Sequence, residues 1–327
     1  MNEYLRRNVL ENHFIIGLVV IVMGVFLFEI KSILVSLFIA YILMSALSPA
    51  VNFLVNHKFR RGLAVLLVYL SFVIALISVV IPLGSFVVLQ FKLLFDNFPE
   101  YANRAALSFG FSTDALNIKS ILSQESEFLG KNALTVTSKF FGGIFSLVTV
   151  LVVSLYLLLE KNRFQQGIEG LFSQDKRERV KELLLAVENL LGAWVRGQLT
   201  LCFIIGLASF VGLSILQIPY ALPLAVLAGI LEAVPTIGPI ISAIPAVIVA
   251  STIAPASAVA VMILYVLIQQ LENNLIVPKV MQKVVGLSPV VVILAIGAGG
   301  QLMGVIGAIL AVPLVLVVTT LVPKIRG

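Results

Sequence analysis

The chain has 327 residues, 60% of them hydrophobic and only 12% charged, with a mean hydropathy of +1.11 and a formal net charge of +6. Soluble domains carry about 45–50% apolar and about 25% charged residues, so the composition excludes an ordinary globular domain and calls for a membrane-embedded chain. The apolar runs are continuous instead of alternating, which favours helices over a barrel, and the expected fold is all-α, polytopic and transmembrane. The basic residues sit in short clusters beside those runs, where they read as topology signals and not as a nucleic-acid surface. Cys202 is the lone cysteine and lies in an apolar run, so no internal disulfide is expected.

A spanning helix needs about 20 apolar residues. Spans are expected at roughly 10–29, 32–54, 62–90, 141–159, 198–216 and 254–271. The first follows MNEYLRRN without a small-residue cleavage site and reads as a span, not a leader. Little more than Glu29–Lys31 separates it from the second, which predicts a tight hairpin. The third contains Pro82 and has room to tilt or kink. Residues 1–90 thus form a three-span unit, and 141–159 a fourth span. Residues 91–140, with Phe95, Phe98, Phe109 and Phe111 among polar neighbours, read as a small extracytoplasmic helical subdomain. In the cytoplasmic segment 160–197, Val180, Leu183, Leu184, Val187, Leu190, Leu191 and Trp194 form one stripe. That pattern predicts a helix on the bilayer surface, N-capped at Ser173, with Asp175 in its first turn and Trp194 as anchor. Tyr156, Tyr220 and Tyr265 fit interface anchors. Arg6 and Arg7, the cluster His57, Lys58, Arg60 and Arg61, and Lys324 with Arg326 all read as cytoplasmic, which puts both termini inside.

The remaining unit, 198–327, holds a repeat. PLAVLAGILEAVPTIGPIISAIPAVIVAST and PVVVILAIGAGGQLMGVIGAILAVPLVLVVTT share a proline and a glycine fifteen positions apart, Pro223–Gly238 and Pro289–Gly304. Each is broken at mid-depth, and each follows a full span. Two readings stand. As re-entrant hairpins the stretches give inverted units with Lys279 and Lys283 inside, as the positive-inside rule favours. As full spans they give eight crossings with those lysines outside. Paired interruptions of this kind point to a transporter's substrate site.

Ionisable groups are costly in a membrane and are functional candidates by default. Glu232 lies at the first break, three residues before Pro235; Glu272 follows Gln269 and Gln270 and precedes Asn273 and Asn274. Both acids suit a proton- or cation-coupled carboxylate or a direct substrate ligand. Pro235, Gly238 and Pro239 are expected to shape the backbone, and Gly299, Gly300 and Gly304 to allow a tight turn and close helix approach. The sequence offers no HExxH, CxxC, phosphate-binding loop or GxSxG elbow, so neither an enzyme, a metal nor a cofactor is expected.

WVRGQ at 194–198, VPTIGPIISAIP at 234–245, QLENNLIVPKVM at 270–281, GLSP at 286–289 and GVIGAILAVPL at 304–314 resemble, in that order, the autoinducer-2 exporter family of bacterial permeases. The resemblance covers essentially the whole chain. It implies a homo-oligomeric transporter of the bacterial inner membrane, commonly described as eight-spanning. It also implies that the family's polar motif falls on Gln270, Glu272, Asn273, Asn274 and Pro278, and its Pro/Gly motif on Pro235, Gly238 and Pro239. The expected partners are the lipid bilayer, a small polar solute and H+ or Na+. Export of an autoinducer-2-like solute leads; Na+(Li+)/H+ antiport and a non-transporting scaffold are the alternatives.

Overall fold

The computed structural model describes residues 13–108, 133–281 and 288–326. Arg6, Arg7, Phe109, Phe111, Lys283 and the middle of the 91–140 insert lie outside the described residues. Every described element is helical, and five helices are long and apolar enough to cross a membrane. A helix satisfies its own backbone groups within one segment, which is what hydrocarbon demands.

Helices α1 (His13–Glu29) and α2 (Lys31–Asn56) do not form the expected tight hairpin. A lone intervening residue, Ile30, leaves no room for a reversal, and the pair meet only at the break. Helix α3 (Arg61–Ser108) runs through Pro82 and takes in the start of the 91–140 insert, a length of about 72 Å at 1.5 Å per residue. Helix α4 (Ala133–Leu159) packs on α2 and α3, where the Tyr69 hydroxyl donates to the Leu151 carbonyl at 2.5 Å and lies 2.8 Å from Ser154 Oγ. Short α5 (Lys161–Glu169) then turns away by 78°.

The expected surface helix is instead the first half of a long one. Helix α6 (Arg177–Ile215) is unbroken for 39 residues, about 58 Å. Its apolar stripe faces protein: Leu191 is fully buried, and Trp194 is 5% exposed against Leu201, Met281, Ile296 and Ala308. Trp194 is therefore a core residue and not a lipid anchor. Tyr265 moves in the same direction, buried in the cluster of Leu213, Leu224 and Val261. Ser173 precedes a single 3-10 turn, Gln174–Lys176, and its hydroxyl makes no capping bond.

Both interrupted stretches fold back on themselves. Helices α7 (Ala221–Leu231) and α8 (Ile237–Ser251) are each too short to cross a bilayer, and they pack against one another. An ideal Cβ on Gly238 would sit 2.0 Å from the Leu231 carbonyl oxygen, so the turn closes only on glycine. Helix α9 (Pro255–Leu271) follows, then a π-helical turn (Glu272–Ile276) and short α10 (Val277–Val280). Helix α11 (Pro289–Arg326) has the length of a span but is broken at Met303 (φ −142°) and Gly304 (φ 62°, ψ −145°). In a straight helix Gly299 and Gly307 would stand about 12 Å apart. Instead their backbones touch: a Cβ on either would lie 2.3 or 2.1 Å from the other's carbonyl oxygen. The segment is a hairpin with its tip at Met303–Gly304.

This contact gives a direct test. Gly307→Ala must push the two limbs apart and is expected to cost about 3 kcal/mol, the upper range for overpacking. Gly300→Ala meets only the Ala308 Cβ at 4.0 Å, and its melting temperature in detergent should stay at the parent value.

The hairpins approach α6 from opposite ends. From the Leu216–Tyr220 turn, α7 runs back along α6, placing Ala225 and Gly229 beside Gly206 and Glu232 beside Gln198. The second limb of α11 places Ala308 and Ala311 in the cluster of Trp194 and Leu201, and Val317 and Leu321 beside Val187 and Leu191. It therefore also runs antiparallel to α6, with its tip directed toward the end from which the first hairpin enters.

Candidate functional site

Glu232 ends α7 at the first hairpin tip and is 1% exposed. The last carbonyls of a helix have no partner within it. Here Gln198, itself buried on α6, donates its Nε2–H to the Glu232 backbone oxygen at 2.7 Å. The hairpin tip is thereby fastened to α6. Beyond Glu232 the chain turns through Pro235 and Thr236, and the Ile237 amide donates to the Pro235 carbonyl at 2.8 Å. Thr236 is held at φ 71°, ψ −43°, the rare form of the γ-turn, which is strained for a β-branched residue. Such strain persists only where the surroundings over-determine it, and it clusters at functional turns. Thr236→Gly should raise thermal stability by about 1 kcal/mol, read by melting in detergent.

Glu272 reaches the same place from α9. It opens the π-helical turn, a local widening that is frequent at functional sites. It is 4% exposed, and Gln269 Nε2 donates to its Oε2 at 3.1 Å. The Glu272 carboxyl is the ionisable neighbour of the Glu232 carboxyl. Apart from the Glu272 carboxyl, neither Glu232 oxygen has a hydrogen-bond partner among the described residues, and none of the ion pairs found there reaches either acid. Val234, beside the tip, and Ile276 and Val277, just past Glu272, all pack against the cluster that holds Met281 and, from the second hairpin, Ile296 and Ala308. The acids thus sit where the first hairpin, the end of α9 and the second hairpin converge.

The other expected site residues are placed differently. Gln270, Asn273, Asn274 and Pro278 are exposed, and Asn274 Nδ2 donates back to the Gln270 carbonyl at 2.9 Å and to its Oε1 at 3.2 Å. Among the described residues only Gln269 links that face to the acids, through Glu272 Oε2 and, at 3.5 Å, Asn273 Oδ1. Pro235 and Pro239 flank the first tip, where Gly238 makes its close approach; Gly299, Gly300 and Gly304 build the second hairpin.

Two features escape sequence reasoning. One is Gln198, which reads as the polar start of a span. The other is a buried ion pair between Lys161 of α5 and Glu188 of α6, 8% and 4% exposed. Lys161 Nζ also donates to Ser48 Oγ at 3.0 Å, and Gln165 Nε2 to the second Glu188 oxygen at 3.3 Å. The pair lines a polar cavity of about 490 Å³ with Ser45, Asn52 and Arg196. Arg196 Nη1 donates to the Ala46 carbonyl at 3.2 Å, in the turn of α2 that Pro49 loosens.

Interrupted hairpins entering from opposite ends, with acidic side chains at the point of convergence, are the architecture of a polytopic membrane transporter. Residues 15–327 match the AI-2E family transporter pattern, and the chain belongs to that family of bacterial transport proteins. The protein YueF of Bacillus subtilis (strain 168), named provisionally for transport, is 29% identical over 90% of this chain and 84% of its own length. The AI-2 transport protein TqsA of Escherichia coli (strain K12) is 26% identical over 90% of this chain and 85% of its own. The sodium-lithium/proton antiporter of Halobacillus andaensis is 24% identical over 92% of each chain.

Proposed function

We propose that the chain is a secondary transporter of the bacterial inner membrane that exports a small polar solute of the autoinducer-2 type. Both termini lie in the cytoplasm, the 91–140 insert lies outside, and residues 198–327 form the transport unit of a homo-oligomer. The observation that carries this reading is the burial of Glu232 and Glu272 as neighbours at the hairpin tip. Two bare carboxylates there would be an uncompensated charge in low dielectric, and a proton or a monovalent cation between them removes that cost. A solute hydroxyl that donates to Glu232 fills its unmet acceptor capacity. Movement of the hairpin tip against α6, released at Gln198, would open the acids to one side and then the other.

Na+(Li+)/H+ antiport is the second reading, favoured by the same carboxyl pair and by the activity for which the Halobacillus relative is named. Reconstituted vesicles separate the two. Uptake of a small polyol without cation dependence supports export, whereas proton movement driven by a Na+ gradient supports antiport. Vesicles that move neither would overturn both and leave a scaffold whose soluble inserts bind partners.

A further inference from the structure

We propose that the polar cavity between α2, α5 and α6 is a binding site for a small uncharged polyhydroxy solute, set apart from the acid pair by the thickness of α6. It holds about 490 Å³, within the range of about 300–1,000 Å³ usual for small-molecule sites. Its floor is buried and already balanced in charge: Lys161 and Glu188 neutralise each other, and Ser48 accepts a further hydrogen bond from Lys161. Arg196, at one end, is exposed and gives its Nη1–H to the Ala46 carbonyl. Nothing in that floor calls for a charged ligand.

What is unmet there is neutral hydrogen bonding. Asn52 and Asn56 of α2 and Asn189 of α6 line the same cavity, and none of their carboxamides has a hydrogen-bond partner among the described residues. Each carries two N–H donors and a carbonyl acceptor. A hydroxyl is likewise both donor and acceptor, so neighbouring carboxamides pair with neighbouring hydroxyls, whereas a carboxylate can use only the donors. Phe53 and Leu185 add apolar wall for a carbon skeleton. The two helices meet closely beside the site: an ideal Cβ on Gly192 would sit 2.3 Å from the Ser45 carbonyl oxygen. Glu188, Gly192 and Arg196 recur at four-residue steps and share one face of α6. Gln198, which holds the Glu232 tip, lies about 200° around the helix from Arg196. The cavity and the acids therefore face away from each other, and binding in one is separable from transport at the other.

The test uses the full chain in phosphatidylcholine nanodiscs, which bring no sugar headgroup, titrated with D-ribose or D-ribonate and followed by saturation-transfer difference NMR. Ribose should bind saturably and more tightly than ribonate. A neutral hydrogen bond is worth about fivefold in affinity, so Asn52→Leu with Asn189→Leu should weaken ribose binding about 25-fold. Both positions are exposed, and the melting temperature should stay at the parent value. Asn52→Trp, which fills the cavity and leaves the ion pair in place, should also remove binding. Loss of transport in Glu232→Gln with ribose still bound would show the two sites to be separate. Absence of saturable ribose binding, tighter binding of ribonate, or parent affinity in both asparagine variants would overturn the proposal. So would ribose binding that is lost in Glu232→Gln and kept in the double variant, which would place the sugar at the acids.

Discussion

In reconstituted vesicles, Glu232→Gln and Glu272→Gln should each reduce coupled transport to below about a tenth of the parent rate, because ionisable groups held inside a membrane protein mark its substrate and ion pathway. Neither substitution should destabilise the fold. Glu232 is buried with no donor to its carboxyl oxygens among the described residues apart from the neighbouring Glu272 carboxyl, so an amide of the same shape removes a group that is costly to bury in charged form. Its melting temperature should hold or rise. Glu272 accepts a hydrogen bond from Gln269 Nε2, and an amide can keep that contact through its oxygen. A stable but inactive Glu232→Gln chain would separate function from folding. Full transport by both variants would remove the acids from the mechanism.

Much of this site is legible in the sequence because membrane chains advertise their exceptions. Glu232 and Glu272 stand out as acids inside apolar stretches, and the matched Pro223–Gly238 and Pro289–Gly304 intervals mark both hairpins. The choice between hairpin and full span is settled by contacts that no spacing reports, the backbone of Gly299 on Gly307 and of Gly238 on Leu231. That the two acids meet is likewise invisible, because nothing local to residue 232 encodes its distance from residue 272. The polar run Gln270–Asn274 is misleading for a related reason. A π-helical turn rotates Glu272 inward while Gln270, Asn273 and Asn274 remain exposed.

The segment 160–197 shows a different limit. An amphipathic stripe reports that one side of a helix meets apolar atoms; it does not say whether those atoms belong to lipid or to protein. Val187, Leu191 and Trp194 satisfy both descriptions, and the structure resolves them as contacts to α2 and α11. The same ambiguity hid Lys161 and Glu188. Charged residues in a polar insert read as solvated, and only the bend after α4 brings Lys161 beneath α2 and against Glu188.

That ion pair carries the second large effect. Removing one member of a buried pair leaves the other charged and unpaired, at a cost of about 3–5 kcal/mol, whereas replacing both with apolar groups is often neutral. Lys161→Ala leaves the Glu188 carboxylate with only the 3.3 Å contact from Gln165, and it also removes the donor to Ser48. Since α5 reaches α2 and α6 through these bonds, the single variant should lower the melting temperature in detergent sharply. Lys161→Met combined with Glu188→Leu should recover most of the loss, because the cavity wall there also includes apolar Leu185 and Phe53. The stability cycle thus distinguishes a pair that stabilises by mutual compensation from one whose surroundings demand charge. Should the double variant prove as unstable as Lys161→Ala, the polar cavity itself would require the ions, and Ser45, Asn52 and Arg196 would become the residues to vary next.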